Sequence, residues 1–127
     1  YLQFLRDLVR KGCGVHMDIF NFVRDPYGYT HQEELMEEAF SLLGGSIASS
    51  HIKDITMSEG TTVMIQETPI GTGEGRLECY LHHLSQLPAD TPVLIEHLSA
   101  LEEYEAAIDF LRKNFPQYVS PLNTSQL

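Results

Sequence analysis

Residues 46–54, with the sequence Ser-Ile-Ala-Ser-Ser-His-Ile-Lys-Asp, decide the fold of this chain. The stretch predicts a buried β-strand that ends in polar side chains. Because side chains alternate between the two faces of a strand, Ser49, His51 and Lys53 are expected to share one face. The strand therefore presents an imidazole and an ammonium group near its carboxyl end.

A helix is predicted before this strand by apolar residues at helical spacing, namely Leu35, Met36, Ala39, Phe40 and Leu43. Gly44 and Gly45 are expected to end it. Thr30 is predicted as its N-cap, and Glu33 three residues later would complete a capping box. Residues 21–30 are expected to form the loop that leads into this helix.

Two further strands are predicted on either side, over residues 15–19 (Val-His-Met-Asp-Ile) and 91–96 (Thr-Pro-Val-Leu-Ile-Glu). Helices are predicted over residues 1–11, 77–84 and 101–115 by the same apolar spacing. The resulting order is α-β-α-β-α-β-α. Strands that alternate with helices predict a parallel sheet with crossover connections, so the fold class is α/β.

Residues 55–75 are expected to form a long, glycine-rich connection that could contain a short strand at 62–66. It ends in residues 71–75, Gly-Thr-Gly-Glu-Gly, just before a predicted helix. Glycine-rich backbone at such a place can cradle an anion, with Arg76 as a source of positive charge. An ordinary substrate-side loop without phosphate contact is the alternative. Residues 119–127 are expected to be a loose polar tail.

The composition fits a single packed domain and excludes several classes of partner. The chain has 127 residues, 43% of them apolar, and a formal net charge of −10. An acidic chain is unsuited to binding a nucleic-acid backbone, which requires clustered Lys and Arg. No apolar run approaches the ~20 residues of a membrane span. Cys13 and Cys79 lack a paired spacing, which indicates reduced thiols and a cytoplasmic protein.

Each of the three predicted strands ends in a residue that could bind a metal ion: Asp18, His51 and Glu96. The carboxyl ends of parallel strands meet at one edge, where sites form in such folds. Two carboxylates and one imidazole suit Mn²⁺, Co²⁺, Mg²⁺ or Zn²⁺. The alternative is that these are ordinary cap, turn or hydrogen-bonded residues. His16 and Lys53 could contact substrate or serve as structural hydrogen-bonding residues.

Four segments resemble those of the sugar phosphate isomerase/epimerase family, part of the xylose-isomerase-like barrel superfamily. Residues 14–21, Gly-Val-His-Met-Asp-Ile-Phe-Asn, are similar to the family segment G-v-x-h-D-x-x-N. Residues 50–54 are similar to v-H-x-K-D, and residues 69–73 to p-x-G-x-G. Residues 93–97 are similar to the last strand, v-x-x-E. Their order and spacing agree along almost the whole chain.

The resemblance implies that residues 1–127 are the C-terminal portion of one (β/α)₈ TIM barrel domain, with three parallel strands and flanking helices. An intact barrel needs ~250 residues. The chain would then start inside the domain. Its exposed strand edges would be covered by the missing N-terminal half or by another copy of the chain.

The resemblance also implies roles for individual residues. Asp18, His51 and Glu96 match three of the family's four metal ligands, and the fourth, a Glu, would precede Tyr1. Glu96 would also be one of two catalytic acid/base groups. The matching segments place substrate contacts at four residues, namely His16, Asn21, Lys53 and Asp54.

The expected function is metal-dependent isomerisation or epimerisation of a sugar or sugar phosphate through an enediolate, with the isolated 127-residue chain inactive. A lyase acting on a cyclic polyol ketone would have almost the same site. An abasic-site endonuclease is disfavoured by Asn21, because the resemblance to those enzymes implies His at this position. The net charge of −10 also disfavours binding to DNA. A non-catalytic sugar-binding barrel is the remaining alternative.

Overall fold

A computed structural model describes residues 2–96 and 98–119 of the chain, which form a mixed α/β structure. Its centre is a three-stranded parallel sheet with flanking helices, and a two-stranded antiparallel hairpin stands beside the sheet. The elements are α1 (Leu2–Val9), β1 (Val15–Met17), a 3₁₀ turn (Ile19–Phe22), α2 (Pro26–Thr30), α3 (Gln32–Leu43), a 3₁₀ turn (Gly44–Ser46), β2 (Ile47–Ile52), β3 (Asp54–Met57), β4 (Ile65–Thr68), α4 (Leu77–Leu84), β5 (Val93–Ile95) and α5 (Leu101–Asn114).

The parallel sheet has the order β1-β2-β5, with β2 in the centre. Met17 pairs with Ser50, and His51 pairs with Leu94. Because all three strands run in the same direction, their carboxyl ends lie at one edge of the sheet. This confirms the predicted α/β class and the parallel arrangement. A closed barrel is not present among the described residues.

Helices cover the sheet through the apolar stripes that the spacing predicted, and α3 packs against both α1 and α4. Tyr80 of α4 is fully buried, and its hydroxyl donates to the His51 carbonyl at 2.9 Å and hydrogen-bonds Ser50. This contact fixes α4 on the strand that carries His51. The buried apolar core consists of Met17, Ile19, Phe20, Val23, Tyr29, Met36, Ala39, Leu43, Ile47, Ile52, Ile55, Ile70, Leu77, Tyr80, Leu81, Leu84, Ala107 and Leu111.

The predicted capping box at Thr30 is wrong. Asp25 caps a short helix, α2, by accepting the Gly28 backbone N–H at 2.7 Å, and Pro26 follows it in the first turn. Thr30 closes that helix, and its hydroxyl donates to backbone carbonyls of the preceding turn. Helix α3 starts after His31, which makes no side-chain capping bond. An Asp-Pro pair thus starts a helix inside the expected loop.

The long strand predicted over residues 46–54 is two strands. Strand β2 ends at Ile52, Lys53 follows, and β3 starts at Asp54 in the separate hairpin. Strand β3 pairs antiparallel with β4, with Ile55 opposite Glu67. The extra strand expected at 62–66 lies instead at Ile65–Thr68.

The expectation of a loose tail falls almost wholly outside the described residues. Val119 is described and packs, half-buried, against the core, whereas residues 120–127 are not described. His97, the last residue of the fourth family-like segment, is likewise outside them. Within the described ranges, none of the helices has the length and apolar character needed to cross a membrane.

Candidate metal centre

The ends of the three parallel strands bring Asp18, His51 and Glu96 together. One ligand atom from each of these side chains lies within 4.8 Å of the others. His51 Nδ1 is 3.2 Å from Glu96 Oε2 and 3.9 Å from Asp18 Oδ2. All three side chains are half-buried. The cluster could hold a metal ion, as the placement of these residues at the strand ends predicted.

Lys53 lies in the middle of this cluster, with its side chain only 3% exposed. Its ammonium donates to four oxygens, namely Asp18 Oδ2 (2.9 Å), Asn21 Oδ1 (2.9 Å), Glu67 Oε1 (2.6 Å) and Glu96 Oε2 (3.1 Å). Three carboxylates therefore surround a single ammonium. The cluster keeps an excess of negative charge, which favours a further cation.

The pKa values of the two neighbouring carboxyl groups, Asp18 and Glu96, are shifted in opposite directions. Burial raises the pKa of Asp18, and the neighbouring Glu96 raises it further against the opposing effect of Lys53. Burial would also raise the pKa of Glu96, but hydrogen bonds with Lys53 and Asp18 and the charges of Lys53 and His51 lower it overall. The Lys53 pKa is raised to about 12: burial would lower it, and the hydrogen bonds to Glu67, Asp18 and Glu96 outweigh that effect. Glu96 is therefore the more readily ionised of the two carboxyl groups.

His16 and Asn21, both predicted to contact substrate, border the cluster. The Asn21 amide donates to Asp18 Oδ2 at 2.6 Å, while its oxygen accepts from Lys53. The His16 ring stands edge-on to the His51 ring, with 4.1 Å between their centres, and bonds the Ser49 hydroxyl. The Asn21 amide holds the Asp18 carboxylate, and the His16 ring limits the movement of the His51 ring.

Asp54 is the one predicted substrate contact that the structure does not bring to the cluster. Asp54 is 1% exposed, and its side chain has a different set of partners from that of Lys53. Its carboxylate accepts four backbone N–H groups, from Ile55 (2.9 Å), Gly71 (3.0 Å), Gly73 (3.0 Å) and Gly75 (2.8 Å). Asp54 therefore anchors the glycine-rich loop to the end of the sheet.

The same contacts explain why the glycine-rich loop is not a free anion site. Its N–H groups converge on a negative charge, as the composition suggested, but that charge is the carboxylate of Asp54. Arg76, considered as a phosphate contact, instead lies on the surface, 3.6 Å from Glu33. The loop's anion-binding capacity is used inside the protein.

Sequence reasoning missed Glu67. It lies on β4, pairs with Ile55 of β3, and reaches Lys53 only because the hairpin folds back beside the sheet. The sequence signal for β4 is the alternation of side chains along a strand, which is weak over only four residues. Two cavities of about 140 and 150 Å³ flank the Lys53–Glu67 pair.

The donor set fits a divalent cation. Asp18 Oδ1 is buried and has no hydrogen-bond partner within the described ranges, so this carboxylate has an unused lone-pair face. Oxygen and imidazole donors in this mixture suit Mn²⁺, Co²⁺, Mg²⁺ or Zn²⁺. Lys53 is the competing cation, because it already contacts both carboxylates.

Comparison of the chain with models of known protein families, with curated proteins and with solved structures finds no match.

Proposed function

We propose that this chain is the C-terminal portion of a xylose-isomerase-like (β/α)₈ barrel, and that the parent protein is a metal-dependent isomerase or epimerase of a sugar or sugar phosphate. The observation that carries the proposal is the meeting of Asp18, His51 and Glu96 within 4.8 Å at the ends of three parallel strands. In barrel enzymes the active site lies at this end of the strands.

The open edges of the sheet support a larger barrel. Strands β1 and β5 each pair on one side only within the described part of the chain. On β5, Val93 and Leu94 are 43% and 50% exposed, which is unusual for an apolar strand. Further strands from the N-terminal half of the barrel, or from another copy, would pair with these edges and cover these side chains.

In the proposed reaction, Asp18, His51 and Glu96 would hold the metal ion, and Glu96 also exchanges a proton with substrate. When bound, the ion would act as a Lewis acid toward the substrate oxygens. The Glu96 carboxylate accepts a proton from the carbon beside the carbonyl, and the C–H electron pair forms the enediolate. Delivery of the proton to the former carbonyl carbon, with the hydroxyl proton passing from one enediolate oxygen to the other, gives the isomer. Delivery of a proton to the other face of the original carbon gives the epimer.

The reaction makes use of the groups around Glu96. Asn21, which contacts the same Lys53 ammonium as Glu96 does, can donate its amide N–H to the substrate oxygen that gains charge. Epimerisation needs a second acid/base group on the opposite face. The resemblance assigns that role to a Glu of the remaining barrel, so the 127-residue chain alone is expected to show no turnover.

A non-catalytic binding barrel is a second candidate, because of one specific observation. The Lys53 ammonium lies within hydrogen-bonding distance of both Asp18 and Glu96, so the carboxylates already have a cation. On this interpretation the cluster is a structural ion-pair network that binds sugar without metal.

Metal affinity separates the two candidates. We expect the chain to bind about one Mn²⁺, measured by elemental mass spectrometry and titration calorimetry. The changes Asp18→Ala and His51→Ala should each weaken Mn²⁺ binding by more than about a hundredfold. Loss of a residue that contacts only a metal ligand, and not the metal, weakens binding by at most about that factor. Asp90→Ala and His82→Ala, at exposed positions, are matched controls that should bind as the wild type.

Unchanged affinity in both site variants would contradict the metal centre. Absence of Mn²⁺ binding in the wild type would favour the non-catalytic candidate. In the longer parent protein, incorporation of solvent deuterium beside the substrate carbonyl without loss of water would distinguish an isomerase or epimerase from a lyase.

A further inference from the structure

Glu67 differs from the other carboxylates of the metal centre in where it comes from. Asp18 and Glu96 follow strands of the parallel sheet, whereas Glu67 belongs to β4 of the hairpin. Its contact with the Lys53 ammonium, at 2.6 Å, is the shortest of the four that Lys53 makes. At 38% exposed, Glu67 is also the most accessible of the three carboxylates.

Lys53 and a metal ion would compete for the same atoms. Asp18 Oδ2 and Glu96 Oε2 accept from the Lys53 ammonium, and these two oxygens also face His51 Nδ1. An ammonium and a divalent cation on shared oxygens repel each other strongly in a half-buried site. Lys53 must therefore loosen its hold on both oxygens before this site can accept a cation.

Among the residues that the structure describes, Glu67 is the other carboxylate that Lys53 contacts. Glu67 already bonds the ammonium, so a small movement toward it breaks no contact with Glu67. The cavities on either side of the pair, about 140 and 150 Å³, give the long lysine side chain room to change rotamer. One cavity is bordered by Glu96, and the other by Asn21, whose amide donates to Asp18 Oδ2.

We propose that Glu67 is a positioning residue that takes over the Lys53 ammonium when a divalent cation occupies Asp18, His51 and Glu96. This inference rests on the proposed metal centre and adds a device to it. Lys53 serves as an internal cation in the metal-free chain and moves to the hairpin when the metal binds. Metal binding would thereby act on the hairpin β3–β4, because the Lys53 ammonium, no longer shared with Asp18 and Glu96, would pair with Glu67 of β4.

The first test uses the unmodified chain. Lysines are acylated with an amine-specific reagent in the presence and absence of saturating Mn²⁺, and the labelled peptides are quantified by mass spectrometry. We expect Mn²⁺ to increase the labelling rate of Lys53 several-fold, because its ammonium leaves two half-buried carboxylates for a more exposed one. Lys11 and Lys113, both exposed, are internal controls and should not change. Bound Mn²⁺ with unchanged labelling of Lys53 would overturn the proposal.

The second test is a double-mutant cycle on Mn²⁺ affinity, measured by calorimetry on variants whose folding is checked by circular dichroism. Glu67→Gln should weaken binding about tenfold, the low end for loss of an outer partner. Lys53→Met should strengthen binding. In the Lys53→Met background, Glu67→Gln should have an effect of less than about twofold, because Glu67 acts through Lys53. Glu59→Gln removes the same charge from the exposed hairpin connection and should have no effect.

The outcomes separate this inference from the proposed function. If Glu67→Gln weakens Mn²⁺ binding equally in both backgrounds, Glu67 attracts the ion directly and the inference is wrong, while the metal centre stands. If neither the wild type nor Lys53→Met binds Mn²⁺, the metal centre and this inference both fail. If Lys53→Met does not fold, the labelling of wild-type Lys53 decides.

Discussion

Lys53 and Asp54 are consecutive residues with opposite charges, and each is nearly fully buried among its own set of partners. The Lys53 ammonium is held by four side-chain oxygens. The Asp54 carboxylate is held by four backbone N–H groups. Both charges are satisfied by a cage of hydrogen-bond partners. The Lys53 cage consists of side-chain oxygens, and the Asp54 cage consists of backbone N–H groups.

The difference in the two cages indicates a difference in what each can do. Side chains can change rotamer at modest cost, so the partners of Lys53 can rearrange around a ligand. Backbone N–H groups are fixed by the loop conformation, so Asp54 can only anchor. The partners of Lys53 are suited to the exchange of one cation for another. The contacts of Asp54 hold the hairpin and the glycine-rich loop in place beside them.

The largest effect is expected from breaking the backbone cage. Asp54→Asn replaces one oxygen by an NH₂ that would face N–H donors, so the free energy of unfolding should fall by about 4 kcal/mol. Urea unfolding measures this, with Asp90→Asn at an exposed turn as the matched control. A loss below about 1 kcal/mol would mean that the glycine loop finds other partners.

The second effect comes from crowding the same cage. A Cβ at Gly73 would overlap the Ile55 carbonyl and the Asp54 carboxylate. Gly73→Ala should therefore lower the free energy of unfolding by about 3 kcal/mol, because the overlapping atoms are backbone or pinned. Gly45→Ala adds the same atom where no atom lies within 4 Å, and its stability should be close to that of the wild type. Equal stability of the two variants would refute the tight loop packing.

The cage around Lys53 should be easier to break. Lys53→Met leaves Asp18, Glu67 and Glu96 without their shared cation, at a cost of about 2 kcal/mol, because Glu67 is able to turn toward water. Mn²⁺ at a hundred times its Kd should add about 2.7 kcal/mol of stability. Thermal unfolding with and without Mn²⁺ measures both, with Lys113→Met as the exposed control. A Lys53→Met chain that Mn²⁺ does not stabilise would argue against cation exchange at this cage.

The smallest effect concerns the alkaline stability of the Asp54 side. Tyr29 donates its hydroxyl proton to Glu74, which lies between Gly73 and Gly75. Burial and this carboxylate raise the pKa of Tyr29 from 10.0 to about 12. The folded state therefore favours the protonated phenol, and its contribution is complete below pH 10 and lost as the pH rises toward 12.

Tyr29→Phe should lower stability by about 1 kcal/mol at pH 7, the worth of one hydrogen bond. The difference from the wild type should shrink between pH 10 and pH 12, which urea unfolding at several pH values measures. Tyr27→Phe, at a side chain 69% exposed, is the control. A difference that does not change with pH would contradict the link between Tyr29 and Glu74.

Much of the parallel sheet could be predicted from the sequence, because its strands are short apolar runs with polar ends. Asp18, His51 and Glu96 lie together as the strand ends indicated. Glu67 could not be found in this way, because it reaches Lys53 through a hairpin whose strands have only four residues each. The role of Asp54 was also missed, because three of its four backbone partners lie 17 to 21 residues away in the chain.

By itself the sequence determined the alternation of helices and strands and the face on which Asp18, His51 and Glu96 lie, because hydrophobic period and side-chain parity are local properties. Only the tertiary structure decided which charges meet. It places the Lys53 ammonium among three carboxylates and the Asp54 carboxylate among backbone N–H groups. Burial of a charge is tolerated only where distant segments supply its partners, and that supply depends on the packing of the whole chain.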